Sequence, residues 1–129
     1  MFFSDLVKHL TCKPELDFVR LASYGTASKS SKTITFTKDV EIPLEGKHVL
    51  IVEDIVDTGL TMERMIEYLK GFNPAEIHIC TLLLKPENLK RKLDIEYVAM
   101  EIPNDFIVGY GLDYDGLGRN LRDIYVVKE

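Results

Sequence analysis

The sequence predicts an α/β fold with a mostly parallel sheet flanked by helices. Three stretches carry that expectation. His48-Val49-Leu50-Ile51-Val52 is an almost wholly apolar run, as in a strand buried on both faces of a parallel sheet. Met62, Ile66 and Leu69, with Met65 beside them, then recur at helical spacing. Residues 76–84 return to an apolar run of strand length. Strand, loop, helix and strand in that order make a βαβ unit, which crosses over right-handedly.

The other elements follow in chain order. Phe2, Phe3, Leu6, Val7 and Leu10 fall near helical spacing and predict a helix, or the end of one, over residues 1–10. Residues 16–22, Leu-Asp-Phe-Val-Arg-Leu-Ala, read as a strand. Residues 23–31 are small and polar, with no core-forming side chain after Tyr24, and are expected to be mobile. Thr33-Ile34-Thr35-Phe36-Thr37 alternates, a strand with one apolar face. The central run ends in Glu53-Asp54-Ile55-Val56-Asp57-Thr58-Gly59, and Gly71 and Pro74 stop the helix that follows. Further short strands are expected near residues 97–101, 107–110 and 124–127.

Composition bounds the function. A chain of 129 residues is one domain, 1–129, on the usual size prior, long enough to bury a core without metal or disulfide staples. With 46% apolar and 29% charged residues, disorder and collagen-like repeats are out. The apolar runs fall far short of the ~20 residues that span a bilayer. Met1-Phe2-Phe3-Ser4-Asp5 lacks the basic region and apolar stretch of a secretory signal, so a cytoplasmic location is expected. A net charge of -5 disfavours nucleic acid, whose binding needs a basic surface. The basic stretch 85–92 reads as a solvated helix face. Cys12 and Cys80 have neither zinc-ligand nor redox spacing, and Cys80 reads as a buried, reduced thiol. His9, His48 and His78 share no motif, and none is given a catalytic role.

Ligands of open α/β sheets bind at the carboxyl ends of the strands. There Glu53 and Asp54 end the central run, Asp57 follows, and Thr58, Gly59 and Thr61 open the helix. Threonine hydroxyls and backbone N–H groups at a helix start hold a phosphate, and Gly59 permits close backbone approach. Glu53 and Asp54 suit the two hydroxyls of a ribose. The plainer alternative is solvated acids at a strand end, with Thr61 capping a helix. Carboxylates, threonines and glycine in this order favour a sugar-phosphate site. A Walker-type loop is excluded, because no Gly-Lys-Thr follows a glycine-rich stretch.

Val49-Leu50-Ile51-Val52-Glu53-Asp54-Ile55-Val56-Asp57-Thr58-Gly59-Leu60-Thr61 closely resembles the phosphoribosyl pyrophosphate signature of type I phosphoribosyltransferases. Ser23-Tyr24-Gly25, Leu82-Leu83-Leu84-Lys85 and Glu101-Ile102-Pro103-Asn104-Asp105-Phe106-Ile107-Val108-Gly109-Tyr110-Gly111-Leu112-Asp113-Tyr114 are similar to the hypoxanthine-guanine branch. The resemblance implies a type I phosphoribosyltransferase-like core, here without one N-terminal core strand and the diphosphate-binding loop after it. It implies transfer of a phosphoribosyl group from phosphoribosyl pyrophosphate to hypoxanthine or guanine. IMP or GMP and pyrophosphate would be the products. A catalytically impaired purine-nucleotide-binding or regulatory module of the same fold is the alternative.

Carried over residue by residue, the resemblance implies that Glu53 and Asp54 bind the ribose hydroxyls, partly through Mg2+. Asp57 would serve as acid or base near purine N7. Thr58, Gly59, Leu60 and Thr61 would cradle the 5′-phosphate with Asp57, although the Leu60 side chain adds no hydrogen bond. Lys85 would donate to the purine 6-oxo oxygen, Phe106 would stack on the ring, and Ile107 and Asp113 would meet its exocyclic edge. Asp113 would help hold a second magnesium, and Arg119 would face pyrophosphate. Ser23 and Tyr24 would belong to a loop closing over the reacting centre. The implied partners are phosphoribosyl pyrophosphate, the purine and the nucleotide, with no nucleic acid or membrane, and the implied assembly is a homodimer or homotetramer.

Overall fold

The computed structural model describes residues 1–24 and 33–128. Residues 25–32, most of the loop expected to be mobile, lie outside the described residues. The chain runs α1 (Phe2–Val7), β1 (Arg20–Tyr24), β2 (Thr33–Lys38), β3 (His48–Val56), α2 (Leu60–Lys70), β4 (Glu76–Leu84), a 3-10 turn (Pro86–Asn88), β5 (Tyr97–Glu101), β6 (Ile107–Val108) and β7 (Tyr125–Val126). Strands β3, β4 and β5 form a parallel sheet in that order. The pairs β1–β2 and β6–β7 are antiparallel.

The βαβ unit is present as expected. Ile51 and Ile79 face the buried stripe of α2, Met62, Met65 and Leu69, and Val56 and Leu84 close the same cluster. Each such side chain contributes roughly 1.5–3 kcal/mol when buried. Thr81, fully enclosed, donates its hydroxyl to Leu83 O at 2.9 Å, which satisfies the one polar side chain there. Among the described residues β3 has β4 as its only ladder partner. A groove of about 290 Å³ follows its outer edge, between residues 49–53 and Val19, Val40, Ile42 and Leu44.

Several boundaries differ from expectation, the two strand boundaries for a non-local reason. The first helix stops at Val7, where i→i+3 bonds from His9 and Leu10 tighten the chain ahead of Pro14. The strand expected over 16–22 begins only at Arg20. Before it, the Asp17 carboxylate accepts the N–H groups of Phe18, Glu41 and Ile42 at 2.7–3.0 Å. Those bonds, chiefly from Glu41 and Ile42, hold Asp17 down to about 2. β3 does not end at Glu53 but runs through Val56, because Glu53, Ile55 and Val56 pair with Thr81, Leu83 and Leu84.

Residues 85–92 form no solvated helix. Pro86–Asn88 make one 3-10 turn, Leu89 is extended, and Lys85 is buried. β6 stops at Val108 because Gly109 and Tyr110 take φ of 104° and 50°. At Gly109 a Cβ would sit 2.0 Å from Asp123 O, so that turn needs glycine. Cys80 is half-buried rather than buried, and desolvation pushes its thiol up.

The packing makes a graded prediction. Met65→Ala, which empties the space between α2 and the sheet, should cost about 2–4 kcal/mol in urea unfolding. Tyr97→Ala, at an exposed position, should cost under about 1 kcal/mol. Equal costs would mean that α2 does not seal the core.

Candidate functional site

The β3–β4 ladder carries Glu53 and Asp54 to the carboxyl end of the sheet, and the chain leaves it after Val56. Asp57 and Thr58 turn the chain, and Gly59 starts α2 at φ 82°. A Cβ there would lie 2.9 Å from Leu93 Cδ1, a flexible side-chain tip, so it is the backbone conformation that favours glycine. Gly59 rather than Thr61 is the cap residue, and Thr61 sits inside the first turn of α2. Residues 53–59, Thr61 and Met62 line a pocket of about 280 Å³. Leu60 is not among its walls, although its N–H donates to Thr58 Oγ1 at 3.4 Å.

The segment after β4 braces this loop. Lys85 N–H donates to Val56 O at 3.0 Å, and Lys90 N–H to Thr58 O at 2.9 Å. The Asn88 amide donates to Asp57 Oδ1, and Lys85 Nζ lies 3.6 Å from Asp57 Oδ2. Lys85 is only 7% exposed, so it is no surface lysine, and its buried ammonium requires a counter-charge that Asp57 supplies. Asn88 is a site residue that the sequence reading missed; its only signal is its place three residues after Lys85.

Glu53 is the most perturbed group of the pocket. Desolvation, and secondarily the Asp54 carboxylate, push it up to about 7. Asp54 Oδ1 accepts the Ile55 N–H at 2.8 Å, which fixes its aim. Glu53 and Asp54 both offer carboxylate oxygens, the donor type that a hard divalent cation takes. Magnesium is held in this way, by one or two carboxylates plus substrate oxygens.

A second group of expected residues gathers around a neighbouring turn. Ile102 N–H donates to Leu84 O at 2.8 Å, so the stretch that follows starts at the same end of the sheet. Phe106 is 57% exposed and meets Tyr114 edge-on, with centroids 5.4 Å apart, while Ile107 is buried. Arg119 pairs with Asp113 Oδ1 at 2.8 Å and donates to Gly111 O, and Asp113 Oδ2 accepts the Gly116 N–H. The structure thus gathers Glu53, Asp54, Asp57, Thr58, Gly59 and Thr61 around one pocket and ties Lys85 to it through Asp57. Asp113 and Arg119 face each other. Ser23 and Tyr24 end β1, at the edge of the described residues.

The family model of the phosphoribosyl transferase domain matches residues 1–115. A hypoxanthine phosphoribosyltransferase of Haemophilus influenzae is 44% identical over 121 residues, covering 94% of this chain and 68% of that protein. A hypoxanthine-guanine phosphoribosyltransferase of Aquifex aeolicus is 41% identical over 129 residues, covering all of this chain and 72% of its own length. The crystal structure of a hypoxanthine-guanine phosphoribosyltransferase from Bacillus anthracis, with a HEPES molecule in the active site, superposes with a TM-score of 0.92. Its identity is 38%, over 98% of this chain and 75% of that one.

The raised Glu53 predicts a pH dependence of stability. Between about pH 4.5 and 7 the folded chain keeps a proton on Glu53 that the unfolded chain has lost, so stability falls as pH rises through that window. Glu53→Gln should gain about 2 kcal/mol on the parent between pH 5 and pH 8, allowing for partial exposure. Urea unfolding in the presence of a chelator reads this, and parallel pH profiles would remove Glu53 as the responsible group.

Proposed function

The chain belongs to the phosphoribosyltransferase family, and from that premise we propose that it works in purine salvage. It moves the phosphoribosyl group of phosphoribosyl pyrophosphate onto hypoxanthine or guanine, giving IMP or GMP and pyrophosphate. The observation that carries this reading is the pocket at the end of β3. Paired carboxylates there precede a threonine-glycine helix start, beside a buried lysine.

In this reading, backbone N–H groups and hydroxyls from Asp57 through Thr61 hold the 5′-phosphate at the start of α2. Glu53 and Asp54 accept hydrogen bonds from the ribose hydroxyls. The C1′–O bond to pyrophosphate breaks as the bond from C1′ to the purine nitrogen forms, and Asp57 takes the proton that the purine loses. Lys85 donates to the 6-oxo oxygen. It has donors and no acceptor, so adenine's amino group would leave buried polar atoms unpaired. Phe106 stacks on the ring, and backbone around Ile107 and Asp113 meets its exocyclic edge. Arg119 turns from Asp113 to the leaving pyrophosphate.

Glu53, Asp54 and Asp113 would hold Mg2+, which when bound neutralises charge on the pyrophosphate. Ser23 and Tyr24 help exclude water, which would otherwise hydrolyse the activated sugar. The same reading has the chain at work in the cytoplasm as a homodimer or homotetramer. Among the described residues, no helix is long and apolar enough to cross a membrane.

The direct test is nucleotide formation with magnesium, phosphoribosyl pyrophosphate and each purine in turn; folded chain that makes no nucleotide would overturn the proposal. Asp57→Asn should lower kcat by about 10²-fold or more while nucleotide binding persists. Unchanged turnover removes Asp57 as the acid or base. Lys85→Gln, which adds an acceptor, should shrink the preference for 6-oxopurines in competition assays. Equal selectivity would mean that Lys85 does not read the base.

A further inference from the structure

Two of the three histidines, unrelated by spacing in the chain, meet at the opposite end of the sheet. In the parallel ladder His48 stands across from Glu76. His78, two residues along β4, returns to the same face. His48 Nδ1 lies 3.2 Å and His78 Nε2 lies 2.9 Å from one oxygen, Glu76 Oε2. One donor atom from each of the three residues falls within 4.8 Å of the others.

A further layer stands behind them. His78 Nδ1 lies 3.1 Å from Glu96 Oε1, and Glu96 Oε2 accepts the Ile79 N–H at 2.8 Å. Histidine ligands characteristically donate their second ring N–H to a carboxylate, which sets the tautomer and aims the first nitrogen at the metal. Glu96 is placed to do this for His78, and the Ile79 amide holds Glu96 in position.

We propose that His48, Glu76 and His78 form a binding site for a divalent transition-metal ion of the zinc, nickel or copper class. Two imidazole nitrogens and one carboxylate oxygen form a donor set for these metals, with water completing the shell. Magnesium, which takes oxygen ligands, is poorly served by it. The side chains are 72%, 56% and 37% exposed in chain order, so an ion enters from solvent without opening the core. Glu76 now accepts hydrogen bonds from both rings. A bound ion takes the place of the ring N–H groups in those contacts, each ring binding it as a neutral imidazole with its one proton on the other nitrogen. Because the ligands come from the first residues of β3 and β4, with Glu96 just before β5, the ion clips three strands at their amino ends.

The test is a zinc titration of the metal-free full chain against a competing chromophoric chelator, with magnesium in excess throughout. One equivalent should bind in the micromolar range or tighter, and should raise the Tm, since an ion held only by the folded state stabilises it. His48→Gln and His78→Gln should each weaken binding at least tenfold and cancel the rise in Tm. All these positions are surface ones, and circular dichroism confirms that each variant folds. Glu96→Gln, which leaves all three ligands in place, should weaken binding about tenfold or more. Cys12→Ser should change nothing. Absent binding, binding indifferent to both histidine variants, or binding lost in Cys12→Ser would each overturn the proposal.

Discussion

Everything at the carboxyl end of the sheet depends on the parallel register of β3 on β4. Pairing that continues to Val56 and Leu84 makes the two strands leave the sheet side by side. Only then can the N–H groups of Lys85 and Lys90 reach the carbonyls of Val56 and Thr58. A slip of one residue would turn every β3 side chain to the opposite face, exchanging Ile51 with its exposed neighbour Leu50 and breaking the contact with α2. The apolar cluster of Ile51, Ile79, Met65 and Leu69 therefore fixes the position of the polar groups above it. Core packing and site geometry are one constraint seen from two ends.

Much of this architecture was legible in the sequence. Residues 76–84 and 97–101 form strands with the expected limits, each followed two residues on by a proline, Pro86 and Pro103, that has no N–H to pair. The helix ends ahead of Gly71, as its spacing predicts. The departures that bear on the site arise where a distant partner decides the local outcome. Asp17 is drawn into a loop by amides of residues 41 and 42, which no local pattern announces. Glu53 and Asp54 look like a strand end from their charge, yet the ladder with β4 carries the strand past them. For the pocket, residue types and order were legible in a single short stretch. The brace by Lys85, Asn88 and Lys90 was not, because it comes from a segment whose lysines read as solvated.

The same distinction separates the costs of the site. Desolvating Glu53 beside Asp54 works against folding at neutral pH, the kind of price that functional sites carry. Elsewhere the charges neutralise one another within the protein: Lys85 against Asp57, Arg119 against Asp113. An anionic ligand entering here meets no unpaired cation in those two pairs. A ligand that binds Lys85 or Arg119, as proposed, does so by exchanging partners, so its affinity is a difference between two sets of ion pairs rather than the sum of new ones. Selectivity follows from the exchange, because a ligand without the right acceptors leaves the original pairs in place.

A parallel sheet gathers all its strand starts at one end and all its strand ends at the other. That polarity explains why two kinds of chemistry sit on the same pair of strands. At the carboxyl end the chain turns into α2, so backbone N–H groups, threonine hydroxyls and carboxylates converge, and the donors are hard oxygens. Among the described residues no helix begins at the amino end, and side chains set by the ladder register decide what gathers. There, register brings His48, Glu76 and His78 together, with Glu96 behind them. Oxygen donors favour magnesium, and imidazoles favour zinc and its neighbours. On the two proposals the ends select different ions, and an ion held at the amino end steadies the register on which the other end depends without competing for its ligands.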